Sequence, residues 1–208
     1  VEINNFYTAT VYNKGAEVIR MYQTLLGAEG FKQGFRLYLE RFDGQAVTTD
    51  DFLAAMADAN GADLSQFRRW YSQSGTPVLD IAGSYNATSR EYRLHVKQSC
   101  PPTPGQQEKQ PFLVPLAVGL LDPDGRDLPL QQPGEPAAMT GTRVLQVDGA
   151  EQSFTFINIP AAPVPSLLRD FSAPVRVNYA YSADELAFLF ACDSDPFNRW
   201  EAGQRLAT

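Results

Sequence analysis

The sequence predicts an α+β multidomain chain: helices come first, an antiparallel, immunoglobulin-like β-sandwich follows, and helices begin again near the end. Three observations support this prediction. Apolar residues recur at spacings of three and four as far as about residue 75, the period changes to two after Pro77, and a helix-capping pattern appears at Ser182. We therefore expect three segments, covering residues 1–75, 76–177 and 178–208.

The first segment has the pattern of successive helices joined by short loops. From Tyr12 to Leu26 the apolar side chains follow a helical period, and Gly27 is positioned to end that helix. Residues 31–42 repeat the period, and Thr48 with an acid three residues later predicts the capped start of a further helix. Asp63 is expected to cap a fourth helix, with the apolar residues Leu64, Phe67, Trp70 and Tyr71.

Short strands are predicted after Pro77, because apolar and polar side chains then alternate. Tyr92, Leu94 and Val96 form one face of a strand, and His95 lies on the opposite, polar face. Further strand candidates separated by Gly and Pro cover residues 112–121, 142–147, 153–159, 166–171 and 175–181. Their number and spacing favour a sandwich. In the last segment, Ser182 and Glu185 form a capping box, and Asp195-Pro196 begins another helix.

Composition excludes several classes of partner. The formal net charge is -7, and the Lys/Arg runs do not exceed the pair Arg68-Arg69, so we expect neither a nucleic-acid nor a membrane partner. Cys100 and Cys192 lack metal-binding or redox spacing, which favours two reduced thiols and a cytoplasmic location. The chain starts at Val1 and ends within an expected helix, so we expect an internal segment of a longer protein.

Reactive side chains are few. His95 is the single histidine, which excludes a two-histidine zinc site built from these 208 residues, and its position on a polar strand face predicts a solvated side chain. Asp50, Asp51 and Glu185 stand at expected helix starts, where capping already explains them. Composition and periodicity alone therefore predict a helical lobe and a sandwich, without a catalytic site.

Several longer motifs of the sequence resemble those of a known family. The stretches "VEINNFYTATVYNKGAEVIRM", "TTDDFLAAM" and "FRRWYSQSGTPVL" occur in this order, followed by "EKQPF", "FSAPV" and "FNRW". Together they resemble the aminopeptidase N family of zinc peptidases (gluzincins), and its bacterial branch in particular. The resemblance implies the C-terminal helices of a thermolysin-like catalytic domain, then the sandwich, then the first helices of an α-helical domain.

The resemblance also implies roles for three residues. The tyrosine of the family's Tyr-x-Lys-Gly-Ala motif is catalytic, and in this sequence it corresponds to Tyr12. Its neutral phenol would donate a hydrogen bond to the oxyanion that forms when a zinc-activated water attacks the peptide carbonyl. Tyr7 and Asn4 match positions that would line the pocket for the N-terminal side chain of the substrate. Pattern alone favours a different interpretation of Tyr12, as a packing residue at a helix start.

Two departures from the family pattern limit this transfer. Bacterial relatives commonly carry Glu where this chain has Asn13, which leaves an acidic contribution beside the tyrosine in doubt. Two motifs of the family do not occur in the sequence: the zinc motif His-Glu-x-x-His, and Gly-x-Met-Glu-Asn, which recognises the amine of the substrate. We expect zinc and peptide substrates to bind the longer protein, and we expect this segment alone to bind no catalytic zinc and to be inactive. Its own expected partners are the missing catalytic and helical domains.

A second hypothesis treats the chain as a non-enzymatic immunoglobulin-like interaction or spacer module. Sandwiches of this kind host many binding functions, so fold alone does not separate the two hypotheses. A binding sandwich would expose a cluster of aromatic side chains. Here Tyr92, Phe154 and Phe156 alternate with polar residues, which is typical of a core.

Overall fold

The computed structural model describes residues 8 and 10–208. Its helical elements are a π-helical turn at Thr10–Lys14, α1 at Gly15–Phe42, α2 at Thr49–Asn60, α3 at Arg69–Ser72, a 3₁₀ turn at Arg169–Phe171, α4 at Ala183–Cys192 and α5 at Pro196–Leu206. The strands are β1 Val78–Asn86, β2 Glu91–Ser99, β3 Val114–Leu121, β4 Arg143–Val147, β5 Glu151–Phe156, β6 Val164–Leu167 and β7 Arg176–Asn178. The order of helices, strands and helices confirms the predicted α+β architecture.

The helical segment packs around a tyrosine of α1. Tyr22 is fully buried, and its ring lies 4.4 Å from that of Phe67 and 5.5 Å from that of Phe52, measured between centroids. Gly27 interrupts α1 with a φ of 74° and a ψ of 167°, so the predicted break is present. A left-handed φ of this kind favours glycine, because it brings a Cβ too close to the backbone.

The predicted fourth helix is much shorter than expected. Only Arg69–Ser72 is α-helical, and the turns before it use hydrogen bonds to the third residue back, such as Trp70 N–H to the Phe67 carbonyl at 3.0 Å. Such bonds give three residues per turn, which fits the buried positions Leu64, Phe67 and Trp70 better than the α-helical period does. The predicted core residues were therefore right, and the helix type was wrong.

Two sheets form the sandwich in the described part of the chain. One has the strand order β5-β2-β1-β7 and the other the order β4-β3-β6. The strand pairs are antiparallel, as predicted, except that β7 runs parallel to β1. The side chains of Leu79, Leu94, Val96 and Phe156 are fully buried on the inner face of the larger sheet.

A buried arginine interrupts the strand predicted at residues 166–171. Residues 166–171 were expected to form one strand, but β6 ends at Leu167 and the 3₁₀ turn follows. The side chain of Arg169 is 1% exposed and lies against Gly119 of β3, where an added Cβ would overlap the guanidinium. It pairs with Asp127 at 2.6 Å and with Asp193, at the end of α4, at 3.1 Å, so its charge is compensated where β3 meets the C-terminal helices.

The C-terminal helices pack onto the sandwich through a small second core. Leu186 and Leu189 of α4 and Ala202 of α5 contact Leu121 at the end of β3. Both predicted helix starts are present, because the Glu185 N–H donates to Ser182 Oγ at 3.1 Å and the Asn198 N–H donates to Asp195 Oδ1 at 2.8 Å. Within the described residues, no helix combines the length and apolar character that crossing a membrane requires.

The capping box of α4 makes a measurable prediction. We expect Ser182→Ala to lower the free energy of unfolding by about 1 kcal/mol, because the Glu185 N–H loses its acceptor at the helix start. Denaturant unfolding followed by circular dichroism measures this change. Ser84→Ala, at an exposed position of β1, is the control and should change the free energy by less than about 0.5 kcal/mol. Equal effects of the two substitutions would contradict the capping role.

Candidate active site

The structure places Tyr12 in the π-helical turn that precedes α1. The N–H groups of Val11 and Tyr12 both donate to the Thr8 carbonyl at 3.1 Å, which ties this turn to the residues before it. The Tyr12 side chain is 58% exposed, although it is a large aromatic. It lines an open groove of about 670 Å³ rather than the core of the helical lobe. π-Helical turns are frequent at functional sites.

Lys14 connects the Tyr12 turn to the loop that leads into the sandwich. Its ammonium donates a hydrogen bond to the Gly75 carbonyl at 3.3 Å, and the next residue, Thr76, lines the groove. Burial lowers the pKa of Lys14 from its ordinary value. The residue therefore joins the two segments on which the groove is built.

An ion pair on the first turns of α1 borders the same groove. Glu17 lines it and accepts a hydrogen bond from Arg20 Nε at 3.0 Å. Arg20 also reaches across to the sandwich, where it donates to the Phe171 carbonyl at 2.5 Å and to Asp170 Oδ2 at 3.1 Å. The carboxylate of Glu17 is thus engaged by a cation of its own helix.

The opposite wall of the groove belongs to the sandwich. Phe171, Pro174 and Val175 line it; Phe171 ends the 3₁₀ turn that Arg20 contacts, and the other two follow it. The groove is consequently formed between two predicted domains, with the phenol of Tyr12 on one side and apolar side chains on the other.

The other residues singled out from the sequence lie in different parts of the chain. Tyr7 and Asn4 lie outside the described residues. Asn13 is exposed and lines the groove beside Tyr12. His95 lies on the outer face of the sandwich, where Nδ1 is 3.1 Å from Ser153 Oγ and Nε2 is 3.0 Å from Glu151 Oε1, in agreement with the predicted polar surroundings. Cys100 and Cys192 are free thiols, as predicted.

The groove does not offer the ligands of a catalytic zinc ion. Among its described lining residues Glu17 is the carboxylate and no imidazole is present, whereas the expected site takes two histidines and a glutamate. Over residues 8 and 10–208, no group of three or more His, Cys, Asp or Glu side chains is arranged to hold a metal ion. What the groove does offer is a phenolic donor next to an apolar wall.

The sandwich surface bears on the non-enzymatic hypothesis. Tyr92 and Phe156 are buried and Phe154 packs against the core. Among the described residues of the sandwich, the large hydrophobic side chains that are exposed are Met139 and Val144. The described residues of the sandwich therefore do not form the exposed aromatic face expected of a binding sandwich, and this disfavours the hypothesis of a non-enzymatic interaction module.

Sequence reasoning missed the contribution of residues 169–175 to the groove. The pattern predicted one strand at residues 166–171 and another at 175–181, although the adjacent charges Arg169 and Asp170 within the first candidate signal an ion pair or an irregular turn. The proximity of Phe171 to Tyr12 has no local signal, because 159 positions separate the two residues.

Comparison with protein families covers all three segments. Residues 1–71 match the family model described as "Peptidase family M1 domain". Residues 75–180, half of the chain, match "Domain of unknown function (DUF3458) Ig-like fold". Residues 183–208 match "Domain of unknown function (DUF3458_C) ARM repeats". The chain is also 52% identical to aminopeptidase N of Escherichia coli K12 over 206 residues. It belongs to the aminopeptidase N family.

Other members of the aminopeptidase N family match over the same length. The chain is 50% identical to aminopeptidase N of Haemophilus influenzae over 99% of its residues, and 44% identical to that of Caulobacter vibrioides over all of them. It spans 23% of the length of each of these curated relatives. The predicted family, and its bacterial branch, are thereby confirmed.

A solved structure supports the architecture. The crystal structure of Legionella pneumophila aminopeptidase A in complex with aspartic acid superimposes with a TM-score of 0.83 over 99% of this chain, at 34% sequence identity. The match covers 22% of that aminopeptidase. The helices, sandwich and following helices therefore have the arrangement found within a larger aminopeptidase.

Proposed function

We propose that the longer protein containing this chain is a zinc-dependent aminopeptidase that releases single residues from peptide N-termini. The observation that carries the proposal is the position of Tyr12. It belongs to the family's Tyr-x-Lys-Gly-Ala motif and is exposed to a groove. The relatives that share this segment are named aminopeptidases, which supports peptides as the substrate class.

The role proposed for Tyr12 is that of a hydrogen-bond donor. In the family, zinc activates the water that attacks the peptide carbonyl, and the ligands for that ion are proposed to lie outside these 208 residues. The negative charge that forms on the carbonyl oxygen would accept a hydrogen bond from the Tyr12 hydroxyl. A donor directed at charge that develops in the transition state stabilises it more than the ground state.

The remaining elements of the proposal concern binding and domain organisation. Tyr7 and Asn4 are proposed to contact the N-terminal side chain of the substrate. Residues 1–75 are proposed to complete a catalytic domain, 76–177 to form the sandwich domain and 178–208 to begin a helical domain. In the longer protein these would contact the remaining catalytic and helical domains, in the cytoplasm.

The proposal is tested by purifying the longer protein and measuring release of the N-terminal residue from a short peptide. We expect turnover that a chelator abolishes and added zinc restores, and no cleavage of the same peptide with an acetylated N-terminus. The 208-residue segment assayed alongside with added zinc should be inactive. Zinc-restored cleavage of the acetylated peptide would contradict an aminopeptidase, and absence of any cleavage would contradict a peptidase.

A further inference from the structure

The turn between β6 and β7 has an unusual backbone for its side chains. Leu168, Asp170 and Phe171 have φ values of 60°, 55° and 46°, in the left-handed region. Aspartate tolerates this conformation, but leucine and phenylalanine rarely adopt it; for them it costs on the order of 1–3 kcal/mol per residue and persists only where the surroundings impose it. Residues with such backbone angles are concentrated at active sites and ligand contacts, so the contacts that hold this turn bear on its function.

Two arginines hold the turn from opposite sides. Arg169 lies against Gly119 of β3, on the side that faces the C-terminal helices, and pairs with Asp127 and with Asp193 at the end of α4. Arg20 comes from α1, roughly two helical turns after Tyr12, and donates to the Phe171 carbonyl and to Asp170. The turn is therefore fixed to Asp127, to the end of α4 and to the helix that follows Tyr12, which fixes Phe171 relative to Tyr12.

The chemistry of the groove indicates what would bind against this turn. Its described charged groups already have protein partners, since Glu17 is paired with Arg20 and Lys14 binds the Gly75 carbonyl. The half-buried ring of Phe171 and the neighbouring Pro174 supply apolar surface facing the same space. An apolar group gains most from contact with such a surface.

We propose that Phe171 is a specificity-determining residue, through which the sandwich domain contacts an apolar side chain of the peptide substrate. The inference rests on the proposed peptidase function and extends it, because the sandwich then takes part in substrate selection and is not only a spacer. The contact would be made within the groove that Tyr12 and Phe171 both line.

The test is Phe171→Ala in the longer protein, assayed with peptides that carry leucine or alanine at the N-terminal or the following position. Loss of the ring removes apolar contact with leucine and leaves alanine largely unaffected. We expect the ratio of kcat/KM for leucine over alanine to fall by about 10-fold at one of the two positions. Phe171→Leu should give an intermediate ratio.

Phe197→Ala is the matched control. The ring of Phe197 packs against that of Phe171 at 5.3 Å. Both rings line a cavity between the sandwich and the C-terminal helices, but Phe197 does not line the groove at Tyr12. It should leave the leucine-to-alanine ratio within about 2-fold of the wild-type value, although it removes a comparable packing contact. Because the ratio is taken within one protein preparation, partial unfolding does not alter it.

Three outcomes separate the possibilities. A wild-type protein that cleaves, with an unchanged ratio at both positions in Phe171→Ala, overturns this inference alone. The same change of ratio in Phe197→Ala also overturns it, because packing would then explain the effect. A wild-type protein that releases no residue from any of the peptides contradicts the proposed function and this inference together.

Discussion

Tyr12→Phe in the longer protein should lower kcat for peptide hydrolysis by about 10²–10³-fold. The substitution removes a phenolic hydroxyl and keeps the ring, so substrate binding and the π-helical turn should be preserved while the transition state loses a donor. Loss of an interaction made only in the transition state lowers kcat and kcat/KM equally. Steady-state kinetics on a single peptide substrate, giving kcat and KM separately, measures the effect.

Tyr38→Phe is the control for this substitution. Tyr38 is a half-buried tyrosine of α1 whose ring packs on Phe52 at 5.1 Å, and it does not line the groove. It loses the same hydroxyl and should retain kcat within about 2-fold. A Tyr12→Phe enzyme with near-wild-type kcat would exclude the proposed oxyanion role, and a large rise in KM alone would indicate a binding role instead.

Arg169→Met should destabilise the 208-residue chain by about 3–5 kcal/mol. The substitution leaves Asp193, whose side chain is fully buried, without its cationic partner inside the protein. Methionine has a similar length, so the loss reflects the uncompensated carboxylate more than an empty space. Denaturant unfolding at neutral pH measures the difference.

The loss should depend on pH in a defined direction. Burial raises the pKa of Asp193 above its ordinary value, and the Arg169 guanidinium opposes that shift. Without the guanidinium the pKa should rise further, so the folded state takes up a proton that the unfolded state releases near pH 4. Stability then falls as the pH rises above about 4, and the deficit of Arg169→Met should be smaller at about pH 5 than at about pH 8.

The exposed pair of Arg126 and Asp124 provides the comparison. Arg126→Met breaks a contact of 3.1 Å between side chains that are 76% and 69% exposed, and it should cost less than about 1 kcal/mol. If Arg169→Met were no more destabilising than Arg126→Met, or if its deficit were larger at about pH 5 than at about pH 8, the buried pair of Arg169 and Asp193 would not have the stabilising role inferred from its geometry.

Features set by neighbouring residues were predictable from the sequence. The caps at Ser182 and Asp195 and the break at Gly27 depend on a few consecutive residues, because they satisfy or interrupt local backbone groups. The alternation around Tyr92 and Leu94 identified a strand and its buried face for the same reason. The sequence motif around Tyr12 identified the family, which the periodicity of apolar residues alone would not have done.

Only the tertiary structure decided which distant residues meet. Arg169 pairs with Asp127 and Asp193 across 42 and 24 positions, and Arg20 reaches Phe171 across 151. The parallel pairing of β7 with β1 and the two-walled groove at Tyr12 are equally non-local. These contacts depend on how the two sheets and the helical lobe pack together, and local sequence patterns specify which face of an element is buried without specifying what covers it.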